Sequence, residues 1–120
     1  MFRDFQNEVK EWTLEAFGEA ITADKVERNY RFLEESLELV QALGCTKDEA
    51  HQLVEYVFGR DAGEPVQEVG GTMLTLAALC NANAIGMTPA AELELNRVWG
   101  KIEQIRARQA AKPKHSPLPQ

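Results

Sequence analysis

The run Glu34-Glu35-Ser36-Leu37-Glu38 sets three carboxylates into five residues of a strongly helical segment. On a helix, residues three and four apart are neighbours, so Glu34 and Glu35 both face Glu38 across one turn. Like charges at that spacing weaken an isolated helix by about 0.2–0.5 kcal/mol per pair. A cluster that costs stability is a candidate for chemistry, and hard divalent cations such as Mg2+ take oxygen ligands. The same pattern also fits a solvated acidic face on an acidic chain. Helix bundles build carboxylate metal sites from facing helices, since octahedral coordination needs more acids than one turn supplies. Glu68, at the start of a later helical segment, is the acid such a neighbour would add.

Two stretches carry a family resemblance. Arg31-Phe32-Leu33-Glu34-Glu35-Ser36-Leu37-Glu38-Leu39 holds an E-E-x-x-E pattern, and Gln67-Glu68-Val69-Gly70-Gly71-Thr72-Met73-Leu74 follows it with E-x-x-G. The arrangement resembles the signature of the all-α nucleoside triphosphate pyrophosphohydrolases of the MazG-like superfamily, E-E-x-x-E on one helix and E-x-x-D on a later one. The likeness runs over roughly residues 3–110 and includes the helix order and the apolar run after the second stretch. It implies a Mg2+-dependent enzyme, with Mn2+ as a substitute, that cleaves a nucleoside triphosphate to NMP and pyrophosphate in nucleotide-pool house-cleaning. Carried over by position, the metal ligands are Glu35, Glu38 and Glu68. Glu34 assists them, and Glu34 or Glu35 orients or deprotonates the attacking water. The resemblance also implies a homodimer or homotetramer.

The second stretch departs from the family at Gly71, where an aspartate is usual. Glu64, one turn before Glu68, or an acid from a second subunit would have to replace it. The alternative is a non-catalytic nucleotide-binding or assembly protein on the same fold. Two adjacent glycines within a helix cost on the order of 2 kcal/mol against alanine. They fit either close helix packing or room for a substrate or water.

Cations follow the acids. Residues 1–96 hold 7 Lys/Arg and 18 Asp/Glu, a balance of −11, whereas residues 97–120 hold 6 Lys/Arg and one acid, +5. The acidic body disfavours nucleic acid, which needs a positive footprint. Arg97, Lys101, Arg106, Arg108 and Lys112, with Lys114 beyond them, are the candidates to hold triphosphate oxygens. They also fit a solvated face, or a basic end folded onto its own acids. Asn81 is a candidate for a nucleobase or ribose contact, and Asn83 for a helix cap. His51 and His115 read as surface residues; Trp12 and Trp99 read as core or interface.

The elements that must position these residues are helical, because apolar residues recur at helical spacing and strand-like alternation is absent. The pattern predicts an all-α antiparallel bundle of about five helices over 1–111, followed by a basic, Pro-rich tail over 112–120. The first helix runs from Phe2 to Phe17 and stops at Gly18; the second runs from Asp24 to Leu43 and stops at Gly44. Thr46 and Glu49 form a capping box for a third helix, which closes at Gly59. Pro65 opens a fourth that is apolar nearly all round and so expected at the centre of the bundle. Thr88-Pro89 opens a fifth, reaching Ala110. In the tail, proline forbids helix, and order is expected only on docking. One of Arg106, Arg108, Lys112 or Lys114 is expected to approach the carboxylates.

No apolar run approaches the ~18–20 residues of a membrane span, and the start lacks the apolar core of a signal peptide. Cys45 and Cys80 lie in apolar contexts without C-x-x-C spacing, which predicts free thiols and a cytoplasmic setting.

Overall fold

The computed structural model describes residues 2–111 and 117–118. It is all-helical: α1 (Phe2–Thr22), α2 (Lys25–Ala42), α3 (Lys47–Phe58), α4 (Pro65–Ala82), α5 (Met87–Trp99) and α6 (Ile102–Ala111). The local signals act where expected. Asp24 accepts the Glu27 amide at 3.1 Å and starts α2. Thr46 Oγ1 accepts the Glu49 amide at 3.2 Å, while the Glu49 carboxylate accepts the Thr46 amide at 2.9 Å. That reciprocal cap satisfies two of the amides a helix start leaves unpaired. Glu64 caps α4 by accepting the Gln67 amide at 2.9 Å, with Pro65 in the first turn.

Two boundaries differ from the sequence reading. Gly18 is non-helical, with φ 81° and ψ 173°, yet helix resumes beyond it to Thr22, so glycine here kinks α1 rather than ending it. The fifth helix divides in two. α5 ends at Trp99, the Lys101 amide turns back to the Val98 carbonyl at 3.1 Å, and α6 starts afresh at Ile102. Gly100, at the break, is the residue that loses most by staying helical.

The chain divides into two compact units, Met1–Glu38 with Glu94–Gln120, and Leu39–Leu93. In the first unit α1 packs along α6, and Thr13, Ala16 and Leu95 are buried. Trp12 meets Phe17 edge to face at 5.4 Å between centroids, and the Arg28 guanidinium lies 5.0 Å over the Phe17 ring. Arg106 donates to the Glu15 carbonyl and ties α6 to α1. In the second unit Cys80 is the buried apolar residue among those described. Helix α4 is therefore not the covered central helix that its composition predicts: Val66, Val69, Met73 and Leu74 are all exposed. An all-round apolar helix is covered only if neighbours reach several of its sides, and within this unit no two helices pack to the extent that α1 and α6 do. Among the described residues no single helix is long and apolar enough to cross a membrane. Both cysteines are free thiols, Cys80 buried and Cys45 half-buried.

Candidate functional site

Helix α2 carries the acidic triplet on a segment that belongs wholly to the first unit up to Glu38. Its 3.6-residue period turns Glu35 and Glu38 to one side of the helix, one turn apart. Partial burial and the neighbouring Glu38 carboxylate push the Glu35 carboxyl above the ordinary carboxylate range, and Glu34 and Glu94 add smaller repulsions. Desolvation and like charge act in the same direction here, each disfavouring the ionised form.

Glu94 is the member of this group that the sequence reading did not find. It lies on α5 and belongs to the first unit. Arg97 grips it, with Nε 2.9 Å from Oε1, and that bond holds the Glu94 carboxyl below its ordinary value. Arg97 also feels the Glu35 charge, and Glu94 feels Lys101. Thus two of the predicted phosphate-binding cations, Arg97 and Lys101, lie within electrostatic reach of these acids. The signal that could have found Glu94 is its i,i+3 spacing to Arg97, which allows a helical ion pair.

Arg31 is the second residue missed. Its Nη1 donates to Glu34 Oε1 at 2.8 Å, and its Nε lies 3.2 Å from Glu27 Oε1. Its Nη2 donates to the Pro117 carbonyl at 2.6 Å, so the tail touches α2 one turn before the triplet. Glu27 also accepts a bond from Gln109 at 3.3 Å. Arg28 sits beside this network. Burial lowers its pKa, and its Nε and Nη2 find no hydrogen-bond acceptor among the described residues.

Glu68 lies in the first turns of α4, in the second unit, with its carboxylate folded over Gly63. Glu64, the suggested substitute ligand, is engaged as the α4 cap. A Cβ at Gly70 or Gly71 would meet nothing within 4 Å among the described residues, so close packing within the chain does not account for the glycine pair. Asn81 is exposed, while Asn83 is the cap of α4 and donates to the Leu79 carbonyl at 2.9 Å. Arg106 pairs with Glu15 on α1, and Arg108 is exposed on α6. Lys112, Lys114 and His115 lie outside the described residues. Among the described residues no group of three or more His, Cys, Asp or Glu stands close enough to hold a metal ion unaided. Comparison with protein-family models, with curated proteins and with solved structures finds no match.

Proposed function

We propose that the chain is a Mg2+-dependent nucleoside triphosphate pyrophosphohydrolase whose chemistry centres on Glu34, Glu35 and Glu38. The observation that carries this reading is the crowding of Glu34, Glu35 and Glu38 within one turn of α2, where like charge and partial burial push the Glu35 carboxyl up. A divalent cation would relieve that like-charge repulsion. The donor set is all oxygen, as Mg2+ requires, and Mg2+ commonly binds through one or two carboxylates plus substrate phosphates. The absence of a complete protein cage is therefore compatible with a metal that arrives with its triphosphate. The resemblance would add Glu68 to the ligands.

When bound, the metal neutralises phosphate charge and lowers the pKa of a coordinated water. The protein's own residues do the rest. Glu35 and Glu38 hold the cation. Glu34, fixed by Arg31, is the acid left to orient or deprotonate water. Arg97 and Lys101 supply positive charge for the phosphate oxygens once Glu94 shares them.

A second reading has its own observation. Gly71 brings no carboxylate, and the space around it is open. On that reading the chain binds nucleotide without cleaving it. One experiment separates the two: purified protein with a panel of nucleoside triphosphates and Mg2+, scored for pyrophosphate and for binding. Pyrophosphate release that Glu38→Gln abolishes supports the enzyme. Binding without release in the natural chain, together with release from Gly71→Asp, supports the second reading. Neither binding nor release ends both.

A further inference from the structure

The described arginine side chains of the first unit are not alike. Arg97 is closed on Glu94 by Nε and Nη2, and Arg106 donates to the Glu15 carbonyl. Arg31 donates to Glu34 at 2.8 Å and to the Pro117 carbonyl at 2.6 Å, and it pairs with Glu27 at 3.2 Å. Arg108 is exposed, where water satisfies it. Arg28 differs from all of these. Its Nε and Nη2 are buried and find no acceptor among the described residues. The acid beside it, Glu27, lies 3.9 Å from Nη2, beyond a hydrogen bond, and already serves Arg31 and Gln109. Asp24, also near, is engaged in capping α2.

The Arg28 head rests on the Phe17 ring, 5.0 Å from its centroid, and Trp12 packs edge to face against the same ring at 5.4 Å. A ring face attracts a cation but offers no oxygen to its N–H groups. Buried donors left unmade are costly, charged ones most of all. The planar fork of a guanidinium matches a phosphate, which fills two donors at once. An oxyanion is thus the partner this side chain lacks. Its place on α2 says where that oxyanion would come from. Arg28 and Glu35 are seven residues apart, so they fall within about 20° of each other around the helix and about 10 Å apart along it. Arg31 and Glu38 lie on the same side. Long helical side chains lean alike toward the N-terminus, which carries the spacing over to the charged heads. One side of α2 therefore holds two guanidinium groups followed by two carboxyls. A phosphate held by a cation at Glu35 and Glu38 is too near them to meet Arg28. The far end of a phosphate chain is not.

We propose that Arg28 leaves the Phe17 ring to bind the outer phosphate of a triphosphate whose inner phosphates are held, with their cation, at Glu35 and Glu38; the inference rests on the pyrophosphohydrolase reading above. Arg28 is then a specificity-determining residue that reads the length of the phosphate chain. A triphosphate reaches it and a monophosphate does not. Without ligand the ring keeps the head in place. With ligand the two orphan donors gain oxygens, and no hydrogen bond of Arg28 among the described residues has to break first. Arg31 adds positive charge beside it without moving, since Glu34 and Pro117 already fix its head.

The test titrates the full chain, with Mg2+, against inorganic triphosphate, a panel of nucleoside triphosphates and the matching monophosphates. Calorimetry reads affinity. A Trp99→Phe background leaves Trp12 as the one tryptophan, so its emission reports the ring that Arg28 shares. Triphosphates should change that emission and monophosphates should not. Arg28→Gln should weaken triphosphate binding about tenfold, remove the emission change and leave monophosphate binding as it was. Arg28→Lys should recover part of the affinity, because an ammonium keeps the charge but not the fork. Lys25→Gln removes the same charge from an exposed position one turn earlier on α2 and should cost much less. Equal losses from Arg28→Gln and Lys25→Gln overturn the proposal. If Arg28→Gln does not fold, Arg28→Lys decides, and natural affinity in that variant overturns it. Triphosphate binding that the Arg28 variants leave at natural strength overturns this inference alone. A natural chain that binds no triphosphate, with or without a nucleoside, overturns it together with the reading it rests on.

Discussion

A carboxyl with a raised pKa works against folding at neutral pH, and Glu35 is the clearest instance. Below the unfolded carboxylate value, both states hold the proton and the group contributes nothing. As pH rises past that value, the unfolded chain releases its proton first, so the native state loses stability until Glu35 also ionises. Glu35→Gln should therefore stabilise the protein at pH 7, by a few tenths of a kcal/mol (about 0.2–0.5 per relieved pair). It should leave stability unchanged near pH 3. Urea melts at the two pH values check this, and the same variant should lose the stabilisation that Mg2+ brings if the cation binds here. Glu49 has the opposite sign. Its bonds to Thr46 lower its pKa, so its contribution is present above the unfolded carboxylate value and is lost as pH falls through the folded one.

Helix ends and interiors make sharper predictions than propensity alone. α2 and α4 stop with the same hydrogen bond: the Cys45 amide reaches the Val40 carbonyl at 2.9 Å, and the Ile85 amide reaches the Cys80 carbonyl at 2.9 Å. Each stop needs a left-handed residue. α2 has Gly44 there, with φ 95°, whereas α4 uses Ala84, with φ 55°. A Cβ in that region is strained, so Ala84→Gly should stabilise the protein by about 1 kcal/mol, and Gly44→Ala should cost about as much. Thermal melts of the two variants read both signs. Within α4, Gly71→Ala should add about 0.5–1 kcal/mol if the site stays open, because the space for a Cβ is there. A loss of stability instead would mean that another helix packs over that point once the chain is assembled.

For the whole molecule, the scarcity of buried apolar side chains decides what to expect. Among the described residues the fully buried apolar side chains, Ala16, Cys80 and Leu95, are small or medium in size, a modest offset to the roughly 1–2 kcal/mol of backbone entropy that each ordered residue loses. Stability should therefore depend on assembly. The unfolding midpoint should rise with protein concentration, since anything that binds only the folded state stabilises it by mass action. Melts at 1 µM and 100 µM check this; a cooperative midpoint that does not move would contradict it.

What was legible in the chain itself was local. The capping box at Thr46 and Glu49, the Asp24 start, the Pro65 first turn and the Gly44 stop involve residues within five positions of one another. Their hydrogen bonds form whatever else the chain touches. The facing of Glu35 and Glu38 was legible for the same reason, since one helical turn sets it. Glu94 and the Arg31–Pro117 bond were not legible, because they join positions far apart in sequence that only the tertiary fold brings together. Apolar periodicity states which face a helix will hide, but it does not state behind what. For α4 it marked nearly every side as one to be covered, and tertiary structure decided that this unit does not cover them. Burial is a property of neighbours, whereas a helix cap is a property of sequence, and that difference separates what the chain determined by itself from what its folding had to decide.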